Sequence, residues 1–221
     1  MEIRDILKHV DHTLLAQTAT WEEIKALCED AIAFETASVC IPPVYVKQAA
    51  RYVEGRVPIC TVIGFPNGFH TCAAKVFEAE QAVRDGASEL DMVIHIGAVK
   101  EERFDLVQAE IQQVKQVCGE RILKVIVETC FLSKTEKIHL CHIVSDAGAD
   151  YIKTSTGFAN GGARLEDVVL FRSHLAPQVK IKAAGGIRTL EAASLLLDSG
   201  ADRLGASALV QLVKAQKEEA G

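Results

Sequence analysis

Ala147-Gly148-Ala149-Asp150-Tyr151-Ile152-Lys153-Thr154-Ser155-Thr156-Gly157 packs a helix end, a turn, a short apolar strand and a small-residue loop into one run. The glycine takes the left-handed conformation that closes a helix, and the chain then enters a strand. Asp85-Gly86-Ala87-Ser88 and Ser199-Gly200-Ala201-Asp202 repeat the device. The intervals 86–148 and 148–200 each hold two strand–helix units of roughly 26–31 residues, the size of a βα repeat. Eight such units fit 221 residues.

Strand patterns fall near 11–14, 37–41, 58–63, 88–94, 122–128, 150–153, 179–183 and 202–205. Between them, 71–85, 103–117, 134–147, 164–175 and 189–199 space Ala, Val, Leu and Ile as helices do. Thr20-Trp21-Glu22-Glu23 has the form of a capping box, and Pro42-Pro43 marks a strand-to-helix corner. Eight alternating units predict an α/β chain folded as a closed parallel (β/α)8 barrel, the TIM-barrel arrangement. The competing open, doubly wound sheet lacks its G-x-G-x-x-G fingerprint here, and no G-x-x-x-x-G-K-[ST] loop is present. No linker or low-complexity tract divides the chain, so 1–221 reads as one domain.

Composition narrows the function. Apolar residues make up 49% and charged residues 24%, ordinary for a globular protein. The net charge of −6 and the lack of any basic run argue against a nucleic-acid partner. The N-terminus has no apolar signal core, and no apolar run is long enough to span a bilayer. Seven cysteines without a Cys-x-x-Cys pair point to a reducing, cytoplasmic setting.

The candidate chemistry lies on the later strands. Asp91, Lys124, Lys153 and Lys182 fall on the fourth to seventh. A buried ammonium is costly unless paired, and a neutral amine attacks carbonyls. Lysine heads on strands six and seven within about 6 Å repel by about 2.8 kcal/mol at an effective dielectric of ~20. That brings a lysine from ~10.4 toward ~8.4. The expectation is that crowded positive charge frees one amine, without saying which. Alternate strands share layers in such a barrel, which groups Asp91 with Lys153 and Lys124 with Lys182. Thr156-Gly157, Gly185-Gly186 and Gly205-Ala206-Ser207 follow late strands and suit a phosphate held by backbone N–H groups. Gly161-Gly162 reads as a flexible loop able to close over substrate. His139, Cys141 and His142 are thin evidence for a metal, and no metal or organic cofactor is expected.

These residues resemble the deoxyribose-phosphate aldolase family along nearly the whole chain. The likeness runs through Asp11-His12-Thr13-Leu14-Leu15, Ser38-Val39-Cys40, Gly64-Phe65-Pro66, Glu89-Leu90-Asp91-Met92-Val93 and Leu123-Lys124-Val125-Ile126-Val127-Glu128-Thr129. It continues through Tyr151 to Phe158, Ile181 to Thr189 and Arg203-Leu204-Gly205-Ala206-Ser207. The resemblance implies a class I aldolase, a lyase of deoxyribose phosphate catabolism. It implies Lys153 as the Schiff-base lysine, Lys182 as the lysine that tunes it, and Asp91 as the proton relay beside Lys124. It also implies a phosphate site at Gly157, Gly185, Gly186, Gly205 and Ser207, with Asp11 and Thr156 touching substrate hydroxyls. Two departures stand out: Ala208 replaces a second serine, and the tail 217–221 has no terminal tyrosine. The partner implied is a small sugar phosphate, on a protein that self-associates. A Schiff-base aldolase with another acceptor and a sugar-phosphate-binding barrel without turnover are the alternatives.

Overall fold

The computed structural model describes residues 1–219, with side chains through 216. The end of the tail at 220–221, where the sequence has no tyrosine, lies outside the described residues. The strands are β1 (Val10–Thr13), β2 (Ser38–Ile41), β3 (Ile59–Ile63), β4 (Glu89–Val93), β5 (Ile122–Ile126), β6 (Tyr151–Lys153), β7 (Lys180–Ala184) and β8 (Arg203–Ala206). They pair in parallel, in chain order, and β8 closes on β1. The helices are α1 (Ile3–Leu7), α2 (Trp21–Ala33), α3 (Val46–Val53), α4 (Cys72–Asp85), α5 (Ile96–Lys100), α6 (Phe104–Cys118), α7 (Lys134–Asp146), α8 (Leu165–His174), α9 (Leu190–Asp198) and α10 (Leu209–Glu219). The closed barrel and all eight strands match the sequence expectation. The short α1 and α5, and α10, carry too few periodic apolar residues or lie too near the end to have been read.

Local chemistry explains the joints. Thr20 with Glu23, and Ser133 with Glu136, form reciprocal capping boxes that open α2 and α7. Pro43 opens a short 3-10 turn ahead of α3, where a missing N–H costs nothing. Gly86 ends α4 at φ 107°, a conformation that penalises any side chain.

Strand alternation divides the barrel into two environments. Val39, Ile41, Leu90, Met92, Leu123, Val125, Ile152 and Leu204 face the helices and form one continuous apolar core with them. The opposite set faces the barrel axis. On β2 and β3 it is apolar, with Cys40, Cys60 and Val62 in a small separate cluster. On β4 to β8 it is charged. No described helix is long and apolar enough to cross a membrane.

One ion pair in the helical layer was not legible in the sequence. Lys75 of α4 is fully buried and donates to Glu110 of α6 at 2.6 Å and to the Val93 carbonyl at 2.7 Å. Glu110 also accepts from the His95 backbone N–H at 3.2 Å. Burial pulls Lys75 below the usual lysine range while Glu110 pulls the other way. The pair clamps two helices to the exit of β4, the strand that carries Asp91. Removing one member strands a buried charge, so Lys75→Met should lower unfolding free energy by about 3–5 kcal/mol. Urea titration checks this, and a loss below the error of the method overturns the clamp.

Candidate active site

Asp91 sits on the axis of the barrel, fully buried, with its carboxylate shared among three lysines. Lys124 donates to Oδ1 at 3.0 Å, and Lys153 and Lys182 each donate to Oδ2 at 2.6 Å. Two nitrogens bound to one oxygen lie at most twice that distance apart. The Cys60 thiol also donates to Oδ1 at 3.1 Å. The expected contact of Asp91 with Lys153 is present, and Lys124 and Lys182 reach the same carboxylate. Asp91 and Lys124 are register partners, as are Lys153 and Lys182, and flexible lysine stems converge from both levels on one carboxylate.

The expectation that positive crowding alone frees an amine needs correction. Carboxylates stand among the cations. Lys182 pairs with Asp11 as well as Asp91, and Lys124 pairs with Glu89, Asp91 and, at 3.7 Å, Asp11. Arg203 reaches Asp11 at 2.6 Å and Glu89 at 3.3 Å. Burial pushes Lys182 toward the neutral form, but Asp11 and Asp91 outweigh it and hold the ammonium above the usual range. Burial acts on Lys124 likewise, and Asp91 foremost, with Asp11 and Glu89, holds it well above that range. Asp91 itself is raised by burial, then brought well below the usual carboxylate range by its three lysines.

Counting formal charges, Lys124, Lys153, Lys182 and Arg203 face Asp11, Glu89 and Asp91, an excess of one cation. Lys153 is the least compensated, pairing with Asp91 alone while the other three each touch at least two carboxylates. Among these lysines it also lies on the wall of the cavity at the C-terminal mouth of the barrel. Glu89 and Arg203 had no role in the sequence reading. The alternation signal that finds Glu89, two residues before Asp91 on the same face, was available.

The cavity has a volume of about 590 Å³. Thr156, Gly157, Gly185, Gly186, Gly205 and Ser207 all line it, so the three small-residue loops form one wall. Ala208 lines it too, and Arg188, unassigned from sequence, brings in a guanidinium. Gly185 has φ 88°, and a Cβ there would meet the Gly162 Cα at 3.1 Å. That approach corrects the reading of Gly161-Gly162 as a free flap. The Ala163 N–H donates to the Gly185 carbonyl at 3.0 Å, and a Cβ on Gly162 would strike that same carbonyl oxygen. The segment is packed against the glycine loop.

Asp11 is not on the cavity wall, which corrects its expected contact with substrate. It is fully buried beneath Lys182, accepting from Ser38 Oγ at 2.8 Å and from Arg203. His139, Cys141 and His142 form no ligand cluster: His139 stacks edge-on against Phe104, and burial pushes the Cys141 thiol up to about 12. Cys40, Cys60 and Asp91 lie close enough together for a metal, as do Asp11, Cys60 and Glu89. Both groups share their carboxylates with the ammonium cluster, whose charge repels a dication.

A model of the DeoC/LacD family of aldolases matches residues 6–215. A deoxyribose-phosphate aldolase of Streptococcus agalactiae is 58% identical over 221 residues, covering 100% of this chain and 99% of that protein. One from Streptococcus pyogenes is 58% identical over 214 residues, covering 97% and 96%. The tetrameric deoxyribose phosphate aldolase of Aeropyrum pernix superposes with a TM-score of 0.88 at 31% identity, covering 98% of this chain and 92% of that one.

His12, beside Asp11 on β1, faces away from the axis and is buried among helices. Burial pushes it down to about 4, against a partial pull upward from Asp30, which is itself paired with Lys214. Between pH 6.5 and 4 the unfolded chain binds a proton that the folded chain refuses. Stability from this group is therefore complete above pH 6.5 and lost as pH falls toward 4, by about 3 kcal/mol. Denaturation midpoints across that range should show the decline, and His12→Gln should flatten it. An unchanged slope in the variant sinks the assignment.

Proposed function

The chain belongs to the DeoC/LacD family of aldolases, and from that premise we propose that Lys153 is the amine through which it works. The reaction is the reversible cleavage of 2-deoxy-D-ribose 5-phosphate to D-glyceraldehyde 3-phosphate and acetaldehyde through a lysine Schiff base. The observation that carries the residue assignment is the placement of Lys153. It alone of the three clustered lysines opens to the cavity, with one carboxylate ion-pair partner, in a cavity that glycine loops suited to a phosphate also line.

In this reading the neutral Lys153 amine attacks C1 of the open-chain substrate, and loss of water gives the iminium. The C3 hydroxyl gives up its proton as the C2–C3 bond breaks, and that electron pair is held as the enamine. Glyceraldehyde 3-phosphate leaves, C2 takes a proton, and water hydrolyses the iminium to acetaldehyde. Asp91, bonded to the Lys153 nitrogen, is placed to relay protons there. Lys124 keeps Asp91 ionised, and Lys182 stays a cation beside Lys153 on the same Asp91 oxygen. Gly157, Gly185, Gly186, Gly205 and Ser207 hold the phosphate with Arg188, and Thr156 meets a substrate hydroxyl. Asp11 acts beneath the site by orienting Lys182. We assign the whole of 1–221 to one aldolase domain in a cytoplasmic setting.

Lys153→Met should cut cleavage by about 10³-fold or more and abolish the adduct formed with acetaldehyde and borohydride. A modified peptide mapping to Lys124 or Lys182 in the wild-type protein refutes the assignment. The tetrameric relative from Aeropyrum pernix supports self-association of this chain. Light scattering should give a mass at least twice 24.0 kDa, and a monomer at all concentrations removes that expectation.

A further inference from the structure

Glu128 follows β5 by two residues and has no part in the cluster of ion pairs on the barrel axis. Among the described residues, four other than glycine take a left-handed φ: Glu35, Glu54, Glu102 and Glu128. The first three are exposed, whereas Glu128 is buried. A left-handed conformation costs a side-chain-bearing residue about 1–2 kcal/mol, and burying a carboxylate that forms no direct ion pair adds to that. Burial pushes the Glu128 carboxyl above its usual range, and hydrogen bonds from Thr156 foremost, with the charge of Lys153, pull it back.

Those bonds go to one residue. The Thr156 N–H lies 3.2 Å from each carboxylate oxygen, and the Thr156 hydroxyl donates to Oε2 at 2.5 Å. The same hydroxyl oxygen accepts the Phe158 N–H at 3.1 Å. A hydroxyl has one hydrogen and two acceptor positions. Its hydrogen and one position are therefore occupied within the protein, and Thr156 borders the cavity together with Lys153 and Gly157. What it can offer there is the remaining lone pair.

We propose that Glu128 is a positioning residue that locks the Thr156 hydroxyl as a hydrogen-bond acceptor, so that the cavity selects a substrate carrying a hydroxyl donor at that point. This rests on the aldolase reading. In glyceraldehyde 3-phosphate one hydroxyl-bearing carbon separates the aldehyde from the phosphate-bearing carbon. Thr156 lines the same cavity as the groups assigned to those two ends. Glu128 thus contributes to acceptor specificity without touching the substrate.

The test uses two acceptors condensed with acetaldehyde, glyceraldehyde 3-phosphate and its 2-O-methyl ether, which keeps that oxygen as an acceptor but has no hydrogen to donate. The readout is the ratio of their kcat/KM values. In Glu128→Gln the amide NH2 can donate to Thr156, turning the hydroxyl outward as a donor. The ratio should fall about tenfold. Thr156→Val should lower it similarly, and adding Glu128→Gln in that background should change it no further, because the effect runs through the hydroxyl. Should Glu128→Gln not fold, Glu128→Asp withdraws the carboxylate by one methylene and is read the same way. An unchanged ratio in the Glu128 variant, or in Thr156→Val, or additive losses in the double variant, overturns the proposal. If the wild-type protein yields no borohydride-trapped imine with acetaldehyde, it is the aldolase reading that fails.

Discussion

Three ammonium groups on one carboxylate organise this molecule. Asp91 sits where β4, β5, β6 and β7 bring Lys124, Lys153 and Lys182 to within 3.0 Å of its oxygens. Each buried ion carries a desolvation penalty of several kcal/mol, and such clusters persist only when every member is hydrogen-bonded. Asp11, Glu89 and Arg203 complete the pairing. A one-residue slip of any of these strands would turn its charge into the apolar helical layer. The register of half the barrel is thus tied to the charge balance at its centre.

The same balance assigns different work to chemically identical side chains. Lys182 and Lys124 are held as cations by at least two carboxylates each, whereas Lys153 has one and opens to the cavity. An amine that must form an imine needs access and the fewest carboxylates holding its proton in place. Above it, the loops after β6, β7 and β8 supply glycine backbone and Arg188, while Glu128 sets the polarity of the Thr156 hydroxyl at the cavity wall. Charged, backbone-donor and hydroxyl groups thus line one cavity. The Lys75–Glu110 pair, in the helical layer, holds the exit of the central strand in place.

Much of this was legible in the residues. The glycine caps at Gly86, Gly148 and Gly200 and the alternation of period 2 with period 3.6 specify eight strand–helix units, because both depend on local backbone preferences. The lysines and Asp91 stand out because ionisable groups in apolar strands are costly, and the late glycine loops because such backbone suits an anion. Several readings failed for one shared reason. Asp11 passed for a substrate contact, Gly161-Gly162 for a free flap, and Glu89, Arg203, Arg188 and Glu128 had no role. Each depends on what lies across the barrel or across a loop, at a distance in sequence that no local pattern encodes.

By itself the sequence determined the alternating architecture, the polar positions on strands four to seven and the small-residue loops after the late strands, since these follow from local conformation and burial cost. Only tertiary structure decided which lysine faces the cavity and which lie locked among carboxylates. Protonation depends on the sum of charges within a few ångströms, and those charges come from strands at opposite ends of the chain, brought together when β8 closes on β1.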